Sequence, residues 1–207
     1  KDVAAAADLI RAHPFASLIS VDEAGLPFVT HLPLVLEQPP APAGAQDALA
    51  SCGTWVLLGH CAKPNPHWRH LKARPQAVVT FMGPHAYMSP KVYPDLARVP
   101  TWNYLAVHCT VQATLVDDPV AKDALLKKLI GEHEPPYAEQ WRGLGEDFAH
   151  KMLAGIVGFE LAVTRLECKL KLNQHRPESH VAMRDLYADN TENEQALAQW
   201  MTRLGMA

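Results

Sequence analysis

Apolar residues recur at helical spacing over residues 2–12, an Ala-rich run that Pro14 ends, so the chain opens with a short helix. Alternation then takes over. Residues 15–21 read as a strand, 22–25 as a turn and 26–36 as a second strand, which together make a hairpin. Residues 37–51 are proline-rich with little side-chain bulk and predict an exposed loop. A strand over 55–60, a helix from Asn65-Pro66 to about Lys72 and a strand over 76–82 follow closely. In 83–104, prolines at 84, 90, 94 and 100 exclude a long helix and favour extended or turn backbone among Tyr87, Tyr93, Trp102 and Tyr104. Residues 105–115 read as a long strand. Two amphipathic helices are predicted over 119–133 and 137–153, the first with Leu125, Leu126, Leu129 and Ile130 as its apolar stripe.

From 156 to 172 the chain alternates again, with a change of phase. Val157, Phe159, Leu161 and Val163 are odd-numbered, whereas Leu166, Cys168, Leu170 and Leu172 are even. A β-bulge near Thr164-Arg165, as at a barrel corner, produces such a slip. Polar turn residues over 173–179 lead to a final helical region with Leu197, Trp200, Met201 and Leu204 on one face.

At 207 residues and 48% hydrophobic content, the chain suits one large domain or one core with an appended piece, and it needs no disulfides. The four cysteines, Cys52, Cys61, Cys109 and Cys168, form no CxxC pair and read as buried thiols. No apolar run reaches the roughly 18 residues of a membrane span. The start Lys1-Asp2 carries neither an initiator Met nor a signal-peptide pattern, so the native N-terminus is expected to lie upstream and the location to be cytoplasmic.

Net charge is −3, which excludes a polybasic tail, and its distribution says more than its sum. Residues 117–153 carry five bases and eight acids and residues 177–207 two and five, so these helical segments total −6 and the β-rich remainder is +3. Between Cys52 and Arg74 stand Lys63, Arg69, Lys72 and Arg74 with no acid at all. An anion near that strand-helix junction is favoured.

GxGxxG, GxxxxGK[ST], HExxH and GxSxG are all absent, so any phosphate is held by side chains and local backbone. Three segments carry candidate chemistry. In 58–81, His60 ends a strand, Lys63 and Asn65 lie in the connection, and a helix start offers its N–H groups, a geometry suited to a phosphate monoester or simply to a solvated basic helix. Zinc on His60, Cys61, His67 and His70 is a further reading, although the intervals match no common zinc spacing. In 83–108, rigidly held Tyr and Trp residues suit a planar cofactor, a subunit interface or a packed surface loop. Ser89 or Cys109 with His85 or His108 as base is a nucleophile reading that no spacing supports. In 167–176, Lys169, Lys171, Asn173, Gln174 and Arg176 suit the edges of a flavin or nucleotide, or a lysine-protected edge strand.

At these segments the sequence resembles the FMN-binding negative transcriptional regulators, the protease-synthase and sporulation regulator type, within the FMN-binding split-barrel superfamily. GHCAKPNPHWR (59–69) is similar to the family's GHxAxxNPHW, GPHAYMSPKVY (83–93) to GPxAYISPxWY, VPTWNYLAVH (99–108) to VPTWNYxxVH, and KLKLNQHR (169–176) to the end of GKxKLSQNR. With PFASLIS (14–20) and THLPLVL (30–36), the likeness covers essentially the whole chain. It departs at Val92, where the family has Trp, and at Cys168, Asn173 and His175, where it has Gly, Ser and Asn.

The resemblance implies an α+β fold, an antiparallel six-stranded split β-barrel with peripheral and C-terminal helices. It implies a barrel domain over 1–176 with helices inserted at 117–153, a C-terminal helical extension over 177–207, and a homodimer with FMN at the subunit interface. Thr30, His31, Leu32 and Pro33 would lie along the isoalloxazine ring, and His60, Lys63 and Asn65 would face the ribityl phosphate. Trp102, Asn103, Tyr104, Gln174 and Arg176 are further cofactor-binding candidates, from the partner chain; no metal ligands are assigned. The implied function is a flavin-linked negative transcriptional regulator. A flavin-dependent oxidoreductase resembling the pyridoxamine-phosphate oxidases, with His31, His60, His85 or His108 as proton donor, and a haem-binding split-barrel protein are the alternatives. No helix-turn-helix is evident and the outlying helices are acidic, so direct DNA contact has little support.

Overall fold

A computed structural model describes residues 3–38, 55–95 and 97–207. Most of the expected 37–51 loop, and Cys52, lie outside the described residues. Among these there are seven strands and seven α-helices: α1 (Val3–Ala12), β1 (Phe15–Val21), β2 (Pro27–Pro33), β3 (Val35–Glu37), β4 (Val56–Ala62), α2 (His67–Ala73), β5 (Gln76–Met88), β6 (Thr101–Val116), α3 (Pro119–His133), α4 (Tyr137–Gly143), α5 (Glu146–Ala154), β7 (Ile156–Lys171), α6 (His180–Ala188) and α7 (Glu192–Arg203).

The strands form one sheet in the order β2-β1-β5-β6-β7-β4-β3. β1 pairs with β2 and β5, and β4 with β3 and β7, all antiparallel. β2 and β3 stand at opposite ends of this order, yet only Leu34 separates them in the chain. The two ends of the sheet order are therefore brought together at Leu34. The strand expected over 26–36 is split at Leu34, and this division gives seven strands where six were expected. Gly59 on β4 is what lets the junction close: a Cβ there would collide with Leu34 Cδ2 and press to 3.3 Å on the Pro33 carbonyl.

Three further departures have local causes. β5 runs past the expected end at 82 to Met88, and β6 starts at Thr101, four residues before expectation. Pro84 sits inside β5, because proline's fixed φ is compatible with extended backbone and only its missing N–H limits where it can lie. The helix expected over 137–153 divides at Leu144-Gly145 into α4 and α5. The phase slip on β7 is present, since Thr164 and Arg165 are both exposed between buried Val163 and Leu166.

The chain divides into two compact units, one comprising 1–81 and 107–167, the other 82–106 and 168–207. The first holds the closed ribbon and a core that includes Leu18, Leu57, Leu71, Val79, Phe159 and Leu161. In the second, α6 and α7 bury Met183, Tyr187, Leu197 and Met201. No described helix is long and apolar enough to cross a membrane.

Candidate functional site

In the first unit the strand period decides what the Thr30–Pro33 segment presents. Phe28, Thr30 and Leu32 are part- or fully buried, whereas Val29, His31 and Pro33 are exposed. Thr30 meets the start of α2. His67 Nδ1 lies 2.7 Å from Thr30 Oγ1, and Asn65 Nδ2 donates to the same oxygen at 3.1 Å. Asn65 Oδ1 in turn accepts the His67 backbone N–H at 3.0 Å, an Asx turn. Phe28 packs edge-on to the His67 ring, with centroids 5.1 Å apart, and against His70 at 4.9 Å. On the outer face, His31 Nδ1 meets Ser17 Oγ across the β1–β2 pair at 3.0 Å.

The Asn65 carboxamide is thus occupied at both ends by protein groups. These bonds seat α2 and use one of the two Nδ2 hydrogens. α2 itself spans only seven residues. Two other groups remain available. Lys63 is exposed, in the connection after β4, and its charge, with that of Lys72, reaches Asp117. The Asp117 carboxyl is held below its usual range first by its hydrogen bond and charge attraction from Lys122, and further by these two lysines. His60 Nδ1 is buried with no hydrogen-bond partner, as is His67 Nε2. Burial pushes the His60 ring below its ordinary value. His67, fully buried, is pushed down to about 4, by burial and then by the neighbouring His70. Both rings are therefore neutral near pH 7.

The zinc reading fails on the same geometry. Among the described residues no group of three His, Cys, Asp or Glu side chains is placed to hold a metal. His67 is committed to Thr30, and burial pushes the Cys61 thiol up to about 11. The nucleophile reading fares no better, because Ser89 Oγ accepts the Lys91 N–H and Cys109 is fully buried.

In the second unit, strand alternation again separates neighbours. Trp102, about half exposed, lies near His85 and Tyr87, with ring centroids 6.3 and 6.2 Å away. Tyr104 carries the Lys171 ammonium over its ring at 5.8 Å. Asn103 is fully buried; its Nδ2 donates to Tyr187 Oη at 3.1 Å and approaches Met183 Sδ at 3.1 Å. It lines a cleft of about 480 Å³ with Arg98, Lys169, Lys171 and Arg176. Gln174 lines it too, but its amide closes a local turn, donating to the Leu170 carbonyl and accepting from the Leu172 N–H.

That turn depends on Asn173, which the sequence offered as a ligand-facing amide and as a departure from the family pattern. Asn173 takes a left-handed φ of 63°, and its Nδ2 donates to Tyr93 Oη and Ser179 Oγ, both at 3.0 Å. Asparagine is the residue after glycine that tolerates this conformation, a signal that was legible in the sequence. His67 was read only as a metal candidate. Its pairing with Thr30, 37 residues away, leaves no local trace.

A family model described as "Putative FMN-binding domain" matches residues 1–165. The chain is 29% identical over 199 residues to Protease synthase and sporulation protein PAI 2 of Bacillus subtilis (strain 168), covering 94% of this chain and 88% of that protein. Among solved structures, the FAD and heme binding protein from Mycobacterium smegmatis matches with a TM-score of 0.60 at 17% identity, over 81% of this chain and 70% of that one. The flavocytochrome Anf3 from Azotobacter vinelandii matches with a TM-score of 0.57 at 15% identity, over 80% and 67%. At such identities the two structures establish a shared fold and nothing finer.

Proposed function

Because this chain belongs to the FMN-binding domain family, whose model spans residues 1–165, we propose that it is a flavin-linked regulator, a split-barrel homodimer that holds FMN. The observation that carries this reading is the buried, unpartnered Nδ1 of His60, three residues before exposed Lys63 in a segment without acids. An orphaned polar atom of this kind is costly unless a ligand or water completes it. The donor set fits the mononucleotide: Lys63 supplies the cation for a phosphate, and neutral His60 offers its ring nitrogen to a polar edge. Thr30, Asn65 and His67 hold that connection in place. Leu32, His31 and Pro33 flank it, and Trp102, beside Tyr87, offers a ring face to the flavin of the partner subunit in this reading. Bound FMN would supply hydride and one-electron chemistry.

A dimer is supported by the outer face of β1, β2 and β5, where Phe15, Val21, Val29 and Val78 are all exposed. Apolar side chains gathered on one sheet face are what a subunit interface covers. The regulatory role rests on the relative named for protease synthase and sporulation. Regulation through direct DNA contact is disfavoured by the −6 of the helical segments. A flavin-dependent oxidoreductase is the second reading, favoured by the cationic cleft around Asn103 in the second unit, which offers an anionic second ligand a place. The visible spectrum of the purified protein, titrated with FMN and separately with haem, tests the cofactor. Flavin uptake without NAD(P)H turnover supports the regulator, turnover supports the oxidoreductase, and uptake of haem alone overturns both.

A further inference from the structure

We infer, resting on the proposed reading of Lys63 as the phosphate cation, that Trp68 is a positioning residue that brings Lys63 and Arg69 to bear on the same phosphate. Lys63 lies in a turn with its side chain exposed, yet both of its peptide groups are fixed. Its N–H donates to the Gly155 carbonyl at 2.8 Å, and its carbonyl accepts the indole N–H of Trp68 at 3.0 Å. Trp68 is itself tied down, because its backbone N–H donates to the buried Cys61 sulfur. The root of the Lys63 side chain is therefore set by a residue five positions on, at the start of α2.

The face of the same indole carries a second cation. The exposed Arg69 guanidinium lies 5.2 Å from the centroid of the Trp68 ring. None of the ion pairs among the described residues uses it, and residues 52–74 contain no acid to claim it. Stacking on an aromatic ring orients a guanidinium while leaving its N–H fork free, and that fork matches two phosphate oxygens. One side chain thus governs both cations: its edge sets the Lys63 backbone and its face sets the Arg69 head. Cations placed in advance lose less freedom when an anion binds than cations that it must gather.

FMN and riboflavin differ only in the phosphate, so titrating each by flavin fluorescence separates phosphate contacts from ring contacts. Trp68→Phe keeps a ring beneath Arg69 and removes the indole donor. It is expected to weaken FMN about three- to tenfold, as for the loss of one neutral hydrogen bond, with riboflavin affinity and the circular-dichroism spectrum unchanged. Added to Lys63→Ala, the same change is expected to cost nothing more, because its effect passes through Lys63. Arg69→Gln is expected to weaken FMN at least about tenfold in either background, again with riboflavin unchanged. Its exposed position keeps the test decisive should Trp68→Phe not fold. FMN affinity unchanged in Trp68→Phe or in Arg69→Gln, while Lys63→Ala weakens it, overturns the pairing of the two cations and leaves the Lys63 reading standing. Equal losses of FMN and riboflavin in Trp68→Phe also overturn it, since a merely structural role produces them. A wild type that binds riboflavin as tightly as FMN overturns the Lys63 reading, and the role of Trp68 with it.

Discussion

His67 Nδ1 stands 2.7 Å from Thr30 Oγ1, so one hydroxyl on β2 fixes the first residue of α2, while Asn65 at 3.1 Å shares the same oxygen. Replacing Thr30 by Val keeps the shape and removes both partners from polar groups that are buried or nearly so. The expected cost is about 1–3 kcal/mol. Urea unfolding should show it as a lowered midpoint at unchanged slope, with Thr30→Ser close to wild type. A Val variant as stable as wild type would mean that water replaces the hydroxyl.

The same ring predicts a pH dependence. His67 is held at about 4, against about 6.5 in an unfolded chain, so the unfolded state binds the proton more readily. Its contribution to stability is complete above about pH 6.5 and is lost as the pH falls toward 4, on the order of 3 kcal/mol by linkage. His60, shifted the same way by burial, adds to the loss. Unfolding free energies at pH 7.5 and 4.5 measure this, and His67→Phe should flatten the difference.

At Asn173 two physical requirements separate by substitution. Asn173→Gly keeps the left-handed backbone and loses the bonds to Tyr93 and Ser179, at about 1–2 kcal/mol. Asn173→Ala loses the same bonds and adds a strain of about 1 kcal/mol at φ 63°. Thermal unfolding should therefore rank wild type above Gly above Ala.

Val29, exposed and paired with Ile19 across β1–β2, lies in the middle of the apolar outer face. Val29→Glu should convert a dimer to a monomer in light scattering while the circular-dichroism spectrum stays that of the folded chain, and unfolding should lose the concentration dependence that a dimer imposes. A wild-type monomer would contradict the proposed interface.

These predictions rest on features that differ in how visible they are in the sequence. Alternation along 15–21 and the phase slip at Thr164-Arg165 are local patterns, and both strands appear where the period places them. Leu34 breaks its strand because the chain passes from one end of the sheet to the other, a demand of closure that no window of residues contains. The long extensions of β5 and β6 were hidden by Pro84 and Pro100, which read as punctuation although extended backbone accommodates them. Lys63 and His60 were legible from charge and strand position. The bond from Asn65 to Thr30 spans 35 residues and leaves no local trace. The Asn103 cleft draws on segments some seventy residues apart, so only folding assembles it.

The central claim is that this chain holds FMN through Lys63, and FMN fluorescence quenching on titration with wild-type and Lys63→Ala protein tests it most directly. Wild type should bind, and the variant should bind about 1.5–3 kcal/mol more weakly, as expected for a lost charged hydrogen bond, with its fold intact. Equal affinity of the two proteins, or no flavin binding by wild type, would contradict it.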